Sequence, residues 1–145
     1  MFKRLLVPID GSDPASKAAQ TAVDLAKSQS ASVVGLYVID PFPYIGLGEA
    51  SSVGLQAYLA EAQAHANHAL AALKQLCEKA GVVYQGDTIE RNSVYEGILD
   101  TAQAEACDLI VMGSHGRKGV EALILGSVAQ KVLTHSSVPV LVVKS

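Results

Sequence analysis

Hydrophobic positions along the chain follow two alternating periods. Lys3 to Ile9 (KRLLVPI) is a short unbroken apolar run, the mark of a strand covered on both faces, and Pro8 near its end suits a place where ladder donors stop mattering. In the next stretch Ala15, Ala18, Ala19, Ala22, Val23 and Ala26 fall on one helical face, with Asp13 expected as the cap and Pro14 in the first turn. Ser32 to Ile39 (SVVGLYVI) repeats the buried-strand pattern and ends at Asp40. Leu55 to Ala80 is the longest helical pattern, closed by Gly81 as a left-handed C′ residue. Val82 to Glu90 reads as a third strand, and Ser93 as the cap of a third helix carrying Val94, Ile98, Leu99, Ala102 and Ala106. Asp108 to Met112 is a fourth strand, a last helix carries Val128, Val132 and Leu133, and Val138 to Lys144 is a fifth strand.

Strands joined by helices of this length are expected to be parallel, with right-handed crossovers covering both faces of one sheet. The fold class is therefore α/β, a single doubly wound parallel five-stranded sheet of Rossmann-like type over residues 1–145. Such sheets bind ligands beyond the carboxyl ends of the strands, where the strand order reverses. Asp10, Val38, Asp40 and Gly113 all stand at strand ends. If the first and fourth strands are neighbours, Asp10 and the segment after Met112 face one crevice.

Composition narrows the function classes. A chain of 145 residues, 50% hydrophobic and 17% charged, suits a single soluble domain that buries ~70% of its unfolded surface. A formal net charge of -3 argues against nucleic acid as a partner, since such binding usually needs a basic stripe. The opening MFKRLLVPIDG has an apolar run too short for a signal peptide or a membrane span, so a cytoplasmic location away from membranes is expected. Cys77 and Cys107 lack any ligand spacing and fit buried thiols in a reducing compartment. Residues 41 to 54 (PFPYIGLGEASSVG) break every periodicity; a loop this long suits a lid, a partner surface or a disordered connection.

The chemistry concentrates in MGSHGRKGVEALILGSV, Met112 to Val128. A buried strand, three glycines (Gly113, Gly116, Gly119) and a Gly-Ser pair at a helix start together make an anion cradle, and phosphate is the natural guest. The spacing Gly113-x2-Gly116-x9-Gly126-Ser127, with PIDGS at Pro8 to Ser12 and SVPVLVV at Ser137 to Val143, resembles the universal stress protein family over the whole chain. The resemblance implies the adenine nucleotide alpha hydrolase-like variety of the fold, ATP bound with Mg2+ or Mn2+, and a stress-response role. It also implies a homodimer paired through the last strand, Val138 to Val143, with an unidentified protein partner also compatible.

Carried onto this chain, the resemblance implies that Pro8, Ile9 and Asp10 line the adenosine. Asp10 would accept ribose hydroxyls or hold the cation, directly or through water. Val38 would pack on adenine and Met112 bound the pocket. Gly113, Ser114, His115, Gly116 and Arg117 would wrap the phosphates, while Gly126, Ser127 and Val128 present helix-start amides. Arg117 and Lys118 put positive charge beside the phosphates. The chain departs from the family at Ala129, where many members have Ser or Thr; that removes a side-chain donor and leaves ATP over ADP selectivity open.

Each residue also has a plainer reading. The glycine loop can be a mere strand-to-helix turn, and Asp10 a helix cap. His115 suggests a catalytic base but equally a loop residue used through its backbone. His65 and His68, three apart on a helix, lack a third metal ligand and suit a solvated face. No P-loop, G-x-G-x-x-G after the first strand or acidic receiver pair is present, and no dyad positions water for hydrolysis, with Glu121 a candidate by proximity alone. The expectation is a binding protein rather than an enzyme, with a nucleotide-independent dimeric scaffold as the alternative.

Overall fold

In a computed structural model that describes residues 1–41, 52–115 and 125–144, five strands and four helices alternate along the chain. They are β1 (Arg4–Pro8), α1 (Asp13–Gln29), β2 (Ser32–Ile39), α2 (Ser52–Ala80), β3 (Tyr84–Glu90), α3 (Val94–Ala104), β4 (Leu109–Gly113), α4 (Ser127–His135) and β5 (Val140–Val143). Every pairing is parallel and the sheet order is β3-β2-β1-β4-β5. The expected doubly wound five-stranded sheet is present, and β1 and β4 are neighbours at the reversal of strand order.

Alternation along β1 sorts the core into two layers. Leu5, Val7 and Ile9 point into the layer formed with α1 and α2, joined there by Val33, Leu109 and Val111. Leu6 points the other way, with Val34, Leu36, Ile110 and Met112, onto α3 and α4. The small Ala15, Ala18, Ala19, Ala22 and Ala26 that mark the buried face of α1 let its backbone lie close to the sheet.

Helix boundaries follow local chemistry. Ser12, not Asp13, caps α1: its side chain accepts from the Ala15 amide at 3.3 Å, while Asp13 occupies the first turn, where a carboxylate suits the helix dipole. At the end of α2, Val82 N–H donates to Cys77 O at 2.8 Å and Gly81 N–H to Glu78 O at 3.2 Å, a Schellman motif with Gly81 at φ 71. The same pair of bonds closes α3, from Cys107 N–H to Ala102 O and Ala106 N–H to Gln103 O, but there the left-handed residue is Ala106 at φ 54. Both thiols sit in the core, and burial pushes the pKa of Cys77 and of Cys107 up to about 11.

The two strands at the reversal are tied at their amino ends. The Asp108 carboxylate accepts from the Lys3 amide at 2.9 Å and the Arg4 amide at 3.0 Å, while Asp108 N–H donates to Arg4 O at 2.9 Å. Burial alone would raise the Asp108 pKa, but the Arg4 and Lys3 amides together outweigh it and hold the carboxyl below its usual range. Past this clamp, β1 pairs with β4 at Leu5↔Leu109 and Leu6↔Ile110, whereas its register with β2 runs from Arg4↔Ser32 to Pro8↔Leu36. Successive residues of a central parallel strand bond to alternate neighbours. Ser32 N–H donates to Lys3 O and Ile9 N–H to Leu36 O on the β2 side, and Asp108 bonds Arg4 on the β4 side. Pro8 is in phase with Arg4, so its missing N–H falls on the side of β4, and the paired register with β4 stops before it.

Two predictions test these devices. Replacing Ala106 by glycine removes a left-handed penalty of roughly 1 to 2 kcal/mol against a smaller entropic loss. The variant should therefore unfold about 0.5 to 1 kcal/mol later in a denaturant titration, and a drop in stability would contradict the assignment. Asp108→Ala should cost about 2 kcal/mol at neutral pH. Because the folded pKa is depressed, that stabilisation is complete above the ordinary carboxylate range and lost as pH falls through the folded value. The gap between wild type and variant should close on acidification, and a gap that widened would refute the clamp.

Candidate functional site

At the carboxyl ends of β1 and β4 lies a crevice of about 840 Å³. Its β1 side is formed where the strand becomes a turn. Asp10 accepts the Ser12 amide at 3.0 Å through Oδ1, closing an Asx turn around Gly11, whose φ of 82 is open to glycine and strained for other residues. This turn fixes the Asp10 carboxylate at the crevice wall and delivers Ser12 to its cap on α1.

The β4 side is built by tight backbone contacts. A Cβ on Gly113 would stand 3.0 Å from the Pro14 carbonyl oxygen in the first turn of α1, and one on Gly126 would stand 2.9 Å from Ser114 O. Neither glycine has a positive φ, so both are needed for closeness rather than for backbone freedom. Gly126 N–H donates to Ser114 O at 2.7 Å, drawing the two ends of the glycine-rich segment together. Ser114 N–H donates to Val143 O at 3.0 Å on β5. That amide is already used, so Ser114 cannot wrap a phosphate through its own N–H. Its hydroxyl lies 3.1 Å from His115 Nδ1, and His115 Nε2 is buried with no hydrogen-bond partner among the described residues. The His115 ring is thus held against Ser114 at the crevice wall.

Gly126 is the N-cap of α4 at φ -62 and ψ 155, without a side-chain cap, and no acidic residue lies in the first turn. Gln130 N–H to Gly126 O at 2.9 Å is the first bond of the helix, which leaves the amides of Ser127, Val128 and Ala129 without a partner inside it. Uncapped amides together with the helix dipole make this end of the crevice electropositive.

Of the residues singled out in the sequence, Pro8, Ile9, Asp10, Val38, Met112, Gly113, Ser114, His115, Gly126, Ser127 and Val128 all line this crevice. Gly116 and Arg117 lie outside the described residues, as do Lys118, Gly119, Glu121 and residues 42–51 of the suspected lid. Asp40, the strand-end residue after β2, borders it too; the structure adds Tyr58, Glu61 and His65 on the α2 side, and Ser93, Tyr95 and Lys131 on the α3 and α4 side. Tyr58 donates its hydroxyl to Asp40 O at 2.8 Å, fixing the start of α2 against the end of β2. His65, read from the sequence as solvated, is indeed half exposed and 3.6 Å from Glu61, yet it also borders the crevice. Strand ends announce themselves in a sequence, whereas which helix positions overhang them depends on how the helices roll, and no local pattern marks that.

The sequence pattern of the universal stress protein family matches residues 1–144. The chain is 37% identical over 144 residues to universal stress protein MJ0531 of Methanocaldococcus jannaschii, covering 99% of this chain and 83% of that one. It is 34% identical to universal stress protein YxiE of Bacillus subtilis, covering 99% and 100%. Among solved structures, the universal stress protein UspA of Lactobacillus plantarum superposes with a TM-score of 0.88 at 28% identity, over 99% of this chain and 98% of that one. Two more distant proteins share the fold. A universal stress protein in complex with cAMP has a TM-score of 0.66 at 22% identity, covering 99% and 97%, and one from Archaeoglobus fulgidus in complex with dAMP has 0.71 at 20%, covering 99% and 98%. With the family pattern matched over residues 1–144 and a relative 37% identical over 144 residues, this chain belongs to the universal stress protein family.

Proposed function

We propose that the crevice binds an adenine nucleotide, ATP accompanied by Mg2+ or Mn2+, and that the chain is a nucleotide-dependent switch in stress response, not an enzyme. The observation that carries this reading is the polarity of the crevice. Asp10, Asp40 and Glu61 border one side, suited to hydroxyls and a cation, and the uncapped start of α4 borders the other, suited to phosphate. Val38, half-buried against α3, offers an apolar surface for the base. Nucleotides are also what two distant proteins of the fold hold.

The cation fits in one manner. Among the described residues no group of three His, Cys, Asp or Glu side chains could hold a metal ion. Mg2+ commonly keeps several waters and is held by one or two carboxylates plus substrate phosphates, so Asp10 would meet a cation that arrives with the nucleotide. That cation would neutralise phosphate charge.

The glycines favour a second reading. Since Gly113 and Gly126 are required by protein backbone at 3.0 and 2.9 Å, their presence is explained without a ligand, as a nucleotide-independent scaffold would have it. In either reading copies of the chain pair through Val138 to Val143, and a further protein partner reads the assembled surface. The support for pairing is that β5 is an edge strand with Leu141 39% exposed, a surface that natural sheets usually cover.

Freshly purified protein, denatured and chromatographed, should release adenine nucleotide, and titration of the stripped protein with magnesium-ATP should restore binding. Asp10→Ala should weaken binding by about 1.5 to 3 kcal/mol, roughly 10- to 150-fold. Ser127→Pro is a cleaner probe of the cradle than a change at Gly113, which would disturb α1. Proline is tolerated at the first helical position, and Gly126 already has the extended ψ that precedes proline. Loss of affinity with unchanged stability supports the amide cradle; no binding heat at millimolar ATP leaves the scaffold. Sedimentation at micromolar concentration should show a dimer, and a species of 15.1 kDa alone would end the pairing proposal.

A further inference from the structure

Lys131 sits on α4 one turn beyond Ser127, so the two share a helix face, and both border the crevice. Helix side chains lean toward the N-terminus of their own helix, so from this position the ammonium can reach back toward the open amides of the first turn. Its Nζ stands 5.5 Å from the centre of the Tyr95 ring, and that ring stacks on His135 with 5.4 Å between centroids and 29° between planes. Lys131 has no carboxylate within ion-pair distance among the described residues, a property it shares with several exposed lysines. It is also the single Lys or Arg among the described residues that line the crevice, where the carboxylates lie on the opposite side.

The side chain is exposed on α4 and rests beside an aromatic face rather than a carboxylate. A cation–π contact at a partly hydrated site biases where the ammonium rests but is weaker than a charge-assisted bond to phosphate, so it holds the side chain without committing it. The geometry points to Lys131, positioned over Tyr95, as the side chain that meets the phosphates and separates phosphorylated from unphosphorylated adenosine. This rests on the nucleotide reading above and assigns it a discriminating residue.

The test is calorimetric titration of the stripped full-length protein with magnesium-ATP and with adenosine. Lys131→Gln should weaken ATP roughly tenfold, the loss of one charge-assisted contact, and leave adenosine unchanged. Lys131→Arg should stay close to wild type. Tyr95→Phe keeps the ring and loses only a 3.4 Å hydroxyl contact to Glu96, so ATP affinity should hold, whereas Tyr95→Leu should lose part of it while sparing adenosine. An unchanged ATP affinity in Lys131→Gln, or equal losses for ATP and adenosine, would overturn the assignment. Equal behaviour of Tyr95→Phe and Tyr95→Leu would remove the positioning role. Wild-type protein that binds neither ligand is a different result, since it rejects the nucleotide reading itself.

Discussion

The reversal of strand order between β1 and β4 is the constraint on which the site depends. The Asp108 carboxylate, taking the amides of Lys3 and Arg4, ties their amino ends. From there the paired register runs to Leu6↔Ile110, and two residues further on Pro8 brings no donor to that side. A sheet whose order reverses must leave two strand ends with their connections running to opposite faces, and the space between them is where a ligand fits. Here α1 leaves toward one layer and α4 toward the other, so the reversal also sets which helix start faces the crevice.

Two kinds of turn serve the two sides. After β1, the chain reverses through an Asx turn in which Gly11 supplies the backbone freedom and Asp10 supplies the bond. After β4, glycine serves by absence: Gly113 lets α1 press on the strand end, and Gly126 lets α4 begin against Ser114. The distinction bears on how variants are read. A side chain at Gly11 strains the backbone, whereas a side chain at Gly113 or Gly126 displaces an element, so loss of ligand at the latter pair reports on packing as much as on binding.

Much of the fold and part of the site were legible in the sequence, for reasons that can be traced to particular residues. Continuous apolar runs such as SVVGLYVI identify strands covered on both faces, and β2 spans that run from Ser32 to Ile39. Helix ends were legible where glycine marks them, as at Gly81, and obscure where Ala106 takes a left-handed conformation that its chemistry does not advertise. Ser12 and Asp13 are both good caps, and the choice fell to the residue whose position suits the preceding Asx turn. The strand-end residues of the crevice stood out because the fold class says where to look. Tyr95 and Lys131 did not, since each reads locally as an ordinary helix position and only the packing of α3 against α4 brings ring and ammonium together.

One residue at the crevice wall faces two ways. Ser114 accepts from the amide that begins α4 and donates to the last residue of the outermost strand, so the cradle and the sheet edge meet at one residue, through two peptide planes joined at its Cα. A ligand that moves that residue acts on the edge, and a second molecule gripping the edge acts on the ligand's floor. By thermodynamic reciprocity the two effects are equal in free energy, whichever side is perturbed first. For copies that pair through β5, occupancy and assembly would then be linked through Ser114.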